Sequence, residues 1–259
     1  MKTLIFPLLA VLLSVSTINA QRWSPEWGLN YVHTEPLGSM KANMRQGNGV
    51  NFDFAMVTPS KRFSVGIEVQ FTQYGFDKSI RQFDMDDGTT ADMNVSVSNT
   101  FANFLLAGRY YIINQGKFQP YLSAKGGYSN YRTDLSIYDP NDDDNCEPVE
   151  SDLLQRDGTL IGSFGAGIRL DFSTMIKKIK PSKLFVDFSS SVTQGGSVRY
   201  MNTDAPVNHP PNHTTADAVN AEFINTQTQV VHAHHVGSLY SSPVQLFDFK
   251  VGVSYRLNR

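Results

Sequence analysis

The chain has a single cysteine, Cys146, among its 259 residues, so no disulfide framework within the chain can stabilise it. Charge of one sign is not in large excess either: 22 Lys and Arg stand against 24 Asp and Glu, for a formal net charge of -2. That balance gives no reason to expect a nucleic-acid partner. The one long apolar run, residues 4–15, is shorter than the ~20 apolar residues that a membrane-spanning helix needs. Closure of a sheet or packing of a core must therefore supply the stability.

The first 20 residues have the order of a secretory signal peptide. Lys2 is basic, the apolar run follows it, and the small residue Ala20 stands at the expected cleavage site. We therefore predict a signal peptide over residues 1–20 and one β domain over residues 21–259. An exported chain without a spanning helix is then either soluble or a β-barrel.

Alternation of apolar and polar residues dominates the rest of the chain. In "FSVGIEVQF", residues 63–71, every second residue is apolar, which is typical of a β-strand because successive side chains point to opposite faces of a sheet. Which face is the inner one cannot be decided from this run alone. Similar runs predict eight strands, near residues 26–34, 48–57, 62–74, 98–113, 118–131, 159–173, 183–199 and 243–257.

The length and spacing of these runs favour a membrane barrel over a soluble β-protein. Most runs have about ten residues or more, whereas strands of soluble sheets usually have about five or six. Short connections alternate with long ones, near residues 35–47, 75–97, 132–158 and 200–242. The sequence therefore predicts an all-β fold, an eight-stranded antiparallel transmembrane β-barrel with short periplasmic turns, long extracellular loops and both termini in the periplasm. A soluble eight-stranded sandwich or a lipocalin-like barrel is the alternative.

The polar face of a membrane barrel points into the lumen, and eight strands leave room there only for side chains. We therefore expect a non-conducting barrel whose buried charges are paired, because unpaired buried charges are strongly destabilising. The residues predicted to face the lumen are Asp53, Glu68, Arg109, Lys125, Arg169, Asp171, Asp187, Asp248, Lys250 and Arg256.

The C-terminal stretch "KVGVSYRLNR" matches the signal that ends many outer-membrane barrels, with Lys250, Gly252, Tyr255 and Leu257 at its polar, glycine, aromatic and hydrophobic positions. Residues 21–259 resemble the small OmpA-like or OmpX-like outer-membrane barrels. That resemblance implies a multi-pass protein of the bacterial outer membrane, with membrane lipid and the barrel assembly machinery as partners. It also implies a structural or interaction role through the extracellular loops, with a surface protein or glycan as the expected partner. The tyrosine-rich strands look most like barrels of Bacteroidota, some of which, of the PorT type, assist protein secretion.

An acidic stretch in the third long loop has the spacing of a calcium loop. Asp139, Asn141, Asp143 and Glu150 fall at oxygen-ligand positions of such a loop. However, Asp144 stands where the sharp turn requires glycine. The alternative is a solvated acidic loop that binds divalent ions weakly.

The last long loop contains five of the six histidines, which predicts a site for a transition metal such as zinc. The two groups lie nearly twenty residues apart and meet only if the loop folds back on itself. A polar loop that happens to be rich in histidine is the alternative. The candidate ligands are His209, His213, His232, His234 and His235.

A lipid A-modifying enzyme is the other functional class to consider, since small barrels of this kind include acylases and deacylases. His33, Glu35 and a serine such as Ser129 or Ser197 could supply its chemistry, but no spacing motif connects them. We therefore predict no enzyme and no resident cofactor. The remaining aromatic residues are predicted to form belts at the membrane boundaries: Trp23, Trp27, Tyr31, Tyr110, Tyr111, Tyr128, Tyr131 and Tyr255.

Overall fold

The strands close into a barrel, as a computed structural model shows for residues 23–84, 90–138, 148, 150–173, 183–202, 217–224 and 231–257. Within these ranges one antiparallel sheet has nine strands. They are β1 (Ser24–Pro36), β2 (Gly47–Val57), β3 (Phe63–Asp84), β4 (Thr90–Tyr111), β5 (Phe118–Tyr138), β6 (Glu150–Asp171), β7 (Lys183–Asn202), β8 (Asp217–Ile224) and β9 (Val231–Arg256). A short 3-10 helix, Gly38–Ala42, lies between β1 and β2.

Strands β1 to β7 pair in chain order, β9 pairs with β7, and β1 pairs with β9 to close the barrel. Strand β8 is an addition that pairs with the upper part of β9. The prediction of an eight-stranded antiparallel barrel is therefore confirmed. No helix in the described part of the chain is long and apolar enough to cross a membrane.

The connections at the two ends of the barrel differ, although less simply than predicted. At one end, residues 58–62 and 112–117 form short turns, as expected. At the other end, which we call the upper end, the regions 75–97 and 132–158 are mostly strand and not loop. This corrects the prediction: β3 to β6 have 21 or 22 residues each, about twice what a bilayer requires.

The apolar face of a strand changes sides along its length. On β4, Phe104 and Leu106 are 50% and 63% exposed on the outside of the barrel, whereas Val95 and Val97, nearer the upper end, are buried on the inside. Strands β5 and β9 show the same inversion. A strand presents apolar side chains outward where lipid surrounds it and inward where water does. The inversion therefore marks the boundary of the membrane.

Below that boundary the outer surface is a continuous apolar belt. On β3 it runs from Phe63 to Phe71, and every second residue in this stretch faces outward. Nine residues agree with the 9–11 expected for a tilted transmembrane strand. Together with a polar interior, this belt makes the chain a membrane-spanning barrel of the outer-membrane type, with residues outside it packed as in a soluble protein.

Above the boundary the barrel separates into two sheets. Strand β6 pairs with β7 only from Ile161 to Asp171, so its upper half pairs with β5 alone. One sheet consists of the upper halves of β3 to β6, and the other of upper β7, β8 and upper β9. We call these two sheets the extension. The side chains that pack between them are Met93, Val95, Val97, Leu135, Ile137 and Met201, with Leu154 and Val219 at the edge.

Candidate functional site: lumen and extension

Glu68 is the centre of one ion cluster in the lumen. Its side chain is 1% exposed, and its Oε1 accepts hydrogen bonds from Lys125 Nζ at 2.9 Å and from Lys250 Nζ. Arg109 Nη2 lies 4.0 Å from its second carboxylate oxygen. Strands β3, β4, β5 and β9 each contribute one of these four side chains, so the cluster crosslinks strands that are not neighbours. Such contacts hold the barrel wall together from inside.

Glu26 is the centre of a second cluster, nearer the periplasmic end, and it is absent from the residues predicted for the lumen. It is fully buried, and Arg169 binds both of its carboxylate oxygens, at 2.7 and 3.0 Å. Arg256 Nε donates to it at 2.7 Å. The signal was in the sequence, because Glu26 alternates with the outward-facing Trp27.

Aromatic rings cover the two arginines of this second cluster. The guanidinium groups of Arg169 and Arg256 lie 4.9 and 5.0 Å from the ring centre of Phe185, and Tyr111 is close to both. A cation over an aromatic face gains about 0.5–2 kcal/mol, more when water is excluded. The rings thus stabilise charges that burial would otherwise penalise.

The remaining lumen carboxylates are also satisfied, though not all by cations. Asp53 accepts from Arg109 at 3.0 Å, and Asp187 accepts from Arg169 at 3.3 Å. Asp248 instead accepts from the hydroxyl of Thr34 at 2.6 Å and from two further neutral side chains. Neutral donors also stabilise a carboxylate, because charge-assisted hydrogen bonds are stronger than neutral ones.

Opposite charges balance in this part of the lumen. Among the described residues, the buried or nearly buried cations of the network are five and so are the anions. The space left between them beside Glu68 is about 10 Å³, room for a single water. The ten charged side chains are Arg109, Lys125, Arg169, Lys250, Arg256, Glu26, Asp53, Glu68, Asp187 and Asp248.

An aromatic plug fills the lumen above the charged network. Phe101 and Tyr131 stack with ring centres 5.2 Å apart, and Tyr200 stacks on Tyr240 at 6.3 Å. Met40, on the 3-10 helix, is fully buried in the same cluster. This corrects part of the predicted belts: Tyr111 and Tyr131 are inside the barrel, whereas the other six aromatic residues named above are exposed.

Asp171 does not join the lumen network, contrary to the prediction. It lies at the end of β6, where its carboxylate accepts from Lys183 at 2.7 Å, and the Lys183 side chain is 32% exposed. The inward face of a strand continues past the end of the lumen, so alternation alone does not tell where burial stops. This ion pair belongs to the periplasmic rim.

The predicted assembly signal lies on the closing strand. Lys250 points inward to Glu68, and Tyr255 is 38% exposed on the outside. Gly252 lies against β1, where a Cβ would be 2.2 Å from the carbonyl oxygen of Leu29. Leu257 donates its backbone N–H to Pro25. Recognition of these residues by an assembly machinery stays a prediction.

The predicted metal ligands fall mostly outside the described residues: Asp139, Asn141, Asp143, His209 and His213 do, as does Cys146. Glu150 is exposed at the start of β6. His232, His234 and His235 are strand residues of β9 opposite β8, which corrects their placement in a loop. Within the described ranges no group of three or more His, Cys, Asp or Glu could hold a metal ion.

The residues considered for an enzyme are not brought together. His33 is on the outer face of β1 and its Nδ1 shares a hydrogen bond of 2.9 Å with Asn48. Glu35 accepts from Gln46 at the same rim. Ser129 is fully buried on the inner face of β5, and Ser197 is exposed on β7. The barrel wall therefore separates His33 from Ser129.

Side chains replace the missing backbone pairing between upper β6 and upper β7. Asp157 accepts a hydrogen bond from the backbone N–H of Arg199 at 2.8 Å, and Gln155 donates to the carbonyl oxygen of Arg199 at 2.8 Å. On neighbouring β5, hydrogen bonds and the charge of Asp134 raise the pKa of the exposed Arg132 above its usual value. The separation of the two sheets is thus a built feature of the wall.

Solved structures of small outer-membrane barrels resemble this chain. Neisserial surface protein A shares 9% identity at a TM-score of 0.43, covering 91% of this chain and 97% of that one. Ail, the attachment invasion locus protein of Yersinia pestis, shares 11% at 0.40, with coverage of 91% and 97%. The outer membrane protease OmpT from Escherichia coli shares 11% at 0.28, with coverage of 91% and 96%. No protein-family model matches the chain, and no curated protein matches it significantly. Likeness at this level supports no statement on function, and the architecture rests on the strand pairing described above.

Proposed function

We propose that this protein is a non-conducting barrel of the bacterial outer membrane whose extension binds a surface protein or a glycan. The observation that carries the proposal is the second apolar cluster, which packs the two sheets of the extension together above the membrane boundary. Strands long enough only to cross the bilayer would not need it. A packed extension presents a fixed surface, which favours recognition because little ordering is lost on binding.

The water-facing surface of the extension carries side chains suited to contact. Phe76 and Ile80 on upper β3 are 53% and 71% exposed, and Leu153 on upper β6 is 42% exposed. Large exposed apolar side chains outside the membrane belt are typical of interaction surfaces. The charged network and the aromatic plug support the other half of the proposal, because they fill the lumen that a conducting pore would require.

The experiment shortens the extension and leaves the barrel intact. Phe76 and Ser98 are cross-strand partners on β3 and β4, so an Asn-Gly turn can replace residues 77–97 between them. The shortened variant should keep the heat-modifiable gel mobility of a folded barrel and lose binding in an array of surface glycans and purified surface proteins. A matched control replaces Lys61, in the opposite turn, by alanine. Equal binding by the shortened variant and the control would contradict the proposal.

Two measurements separate this proposal from the alternatives. A lipid A-modifying enzyme predicts a changed lipid A mass spectrum in a deletion strain, whereas a binding barrel predicts an unchanged one. An accessory barrel of a secretion complex, as the likeness to PorT-type barrels of Bacteroidota suggests, predicts that other outer-membrane components copurify with it in stoichiometric amounts. Calorimetric titration with Ca²⁺ and Zn²⁺ tests the predicted metal ligands of the two long loops.

A further inference from the structure

A groove of about 1080 Å³ crosses the outer wall of the barrel at the upper boundary of the membrane belt. Its lower walls are apolar and face lipid: Phe71, Phe104 and Tyr128 are 48%, 50% and 44% exposed. The small Ala102 lies between these larger side chains and forms part of the lining. This half of the groove therefore has the shape and polarity to take a hydrocarbon chain.

The upper half of the same groove is polar and cationic. Arg156, on β6, is exposed, and its Nε donates to Asn130 Oδ1 at 3.2 Å, which directs the guanidinium group along the wall. Arg132 lies opposite Arg156 on β5. Arg132 pairs with Asp134, but Arg156 has no carboxylate partner in the parts of the chain that the structure describes. One donor fork of Arg156 is thus available to an anion.

A glycine brings a hydroxyl group to the same place. A Cβ at Gly158 would lie 2.2 Å from the hydroxyl oxygen of Tyr128, so the phenol can extend over this position only because the side chain is absent. Tyr128 begins in the apolar half of the groove and ends in the polar half. Its O–H therefore adds a second donor near Arg156 and Asn130.

We propose that this groove binds one phosphate-bearing lipid of the outer leaflet. An acyl chain lies against Phe71 and Phe104, and the phosphate accepts hydrogen bonds from Arg156 and from the Tyr128 hydroxyl. The site is separate from the extension surface proposed above and does not depend on its partner.

Charge and position argue for this occupant. Around the polar half, Arg132, Arg156 and Arg199 stand against Asp134 and Asp157, which leaves one cation in excess among the described residues. The apolar half lies inside the membrane belt, so an occupant that fills both halves must be amphipathic. Phosphate suits a guanidinium fork, which binds it with two parallel hydrogen bonds.

The test measures lipid binding by native mass spectrometry of the full-length barrel folded in detergent. The probes are lipid A with its phosphates, the same lipid after enzymatic dephosphorylation, and inorganic phosphate alone. Arg156→Gln should weaken binding of the phosphorylated lipid about tenfold, the loss of roughly one charge-assisted hydrogen bond. Gly158→Ala should weaken it too, because the Tyr128 ring must move. The control is Arg62→Gln, an exposed arginine in the turn at the opposite end.

Each outcome decides the proposal. Loss of binding in both groove variants but not in the control, with dephosphorylated lipid bound weakly by all, supports it. Equal binding of the two lipids overturns the role of the phosphate, and unchanged binding by Arg156→Gln overturns the site. Inorganic phosphate bound as tightly as the lipid overturns the lipid as occupant. Heat-modifiable mobility of every variant verifies that the barrel is folded.

Discussion

Replacing Glu68 by alanine tests the lumen network most directly. The carboxylate is 1% exposed, and it is in contact with two ammonium groups, those of Lys125 and Lys250, while Arg109 lies 4.0 Å away. Without it, positive groups remain together in a space that holds almost no water. Removal of one partner from a buried ion cluster costs about 3–5 kcal/mol. The same change on a water-exposed surface costs less than about 1 kcal/mol.

The assay is the temperature at which the detergent-folded barrel loses its heat-modifiable gel mobility. Glu68→Ala should lower this temperature strongly, and Glu68→Gln should lower it less, because glutamine keeps the shape and part of the hydrogen bonding. Glu35→Ala is the matched control, since Glu35 lies on the outer rim and accepts one hydrogen bond, from Gln46.

A double variant separates the charge effect from the loss of packing. Glu68→Ala combined with Lys125→Met removes one charge of each sign, so it should be less destabilised than the sum of the two single changes. A transition temperature of Glu68→Ala equal to that of the wild type or of Glu35→Ala would refute the reasoning, because Glu68 would then not hold the cations around it.

Two further pairs of variants test the wall. Ile67→Arg places a charge in the middle of the belt and should lower the free energy of unfolding by ~2–4 kcal/mol, whereas Ile80→Arg, exposed to water above the belt, should change it by less than about 0.5 kcal/mol; equal effects in chemical denaturation would contradict the membrane boundary drawn here. Gly127→Ala should cost ~1–3 kcal/mol, since its Cβ would lie 2.0 Å from the carbonyl oxygen of Phe104, while Gly126→Ala meets open space and should be nearly neutral. Equal transition temperatures for these two glycine variants would show that strand separation is not tight at that point.

Alternation of polar and apolar residues was enough to predict the barrel and most of the buried charges. Glu68, Lys125 and Lys250 are on the polar face of their strands, and closure of the sheet brings those faces together inside. Which cation meets which anion could not be predicted, because partners such as Glu26 and Arg169 are 143 residues apart and depend on the register around the whole barrel.

The errors arose where residue type was given more weight than position along the strand. Tyr111 and Tyr131 were assigned to the membrane boundary because tyrosine is common there, yet both alternate in phase with inward-facing neighbours such as Ser129. Asp171 shows the reverse case, since its phase is inward but the lumen has already ended at that level. Phase predicts the side of the wall, and only the structure shows how far the lumen extends.

The extension escaped prediction for a physical reason that now makes its pattern readable. Met93, Val95 and Val97 alternate as regularly as any transmembrane stretch, but their phase is opposite to that of Phe104 on the same strand. A search for apolar residues on the lipid side ends at that reversal and takes the remainder for a loop. Because lipid and water demand opposite faces of one continuous strand, a reversal of phase without a turn between indicates that a barrel strand has left the membrane and continues as part of a packed domain.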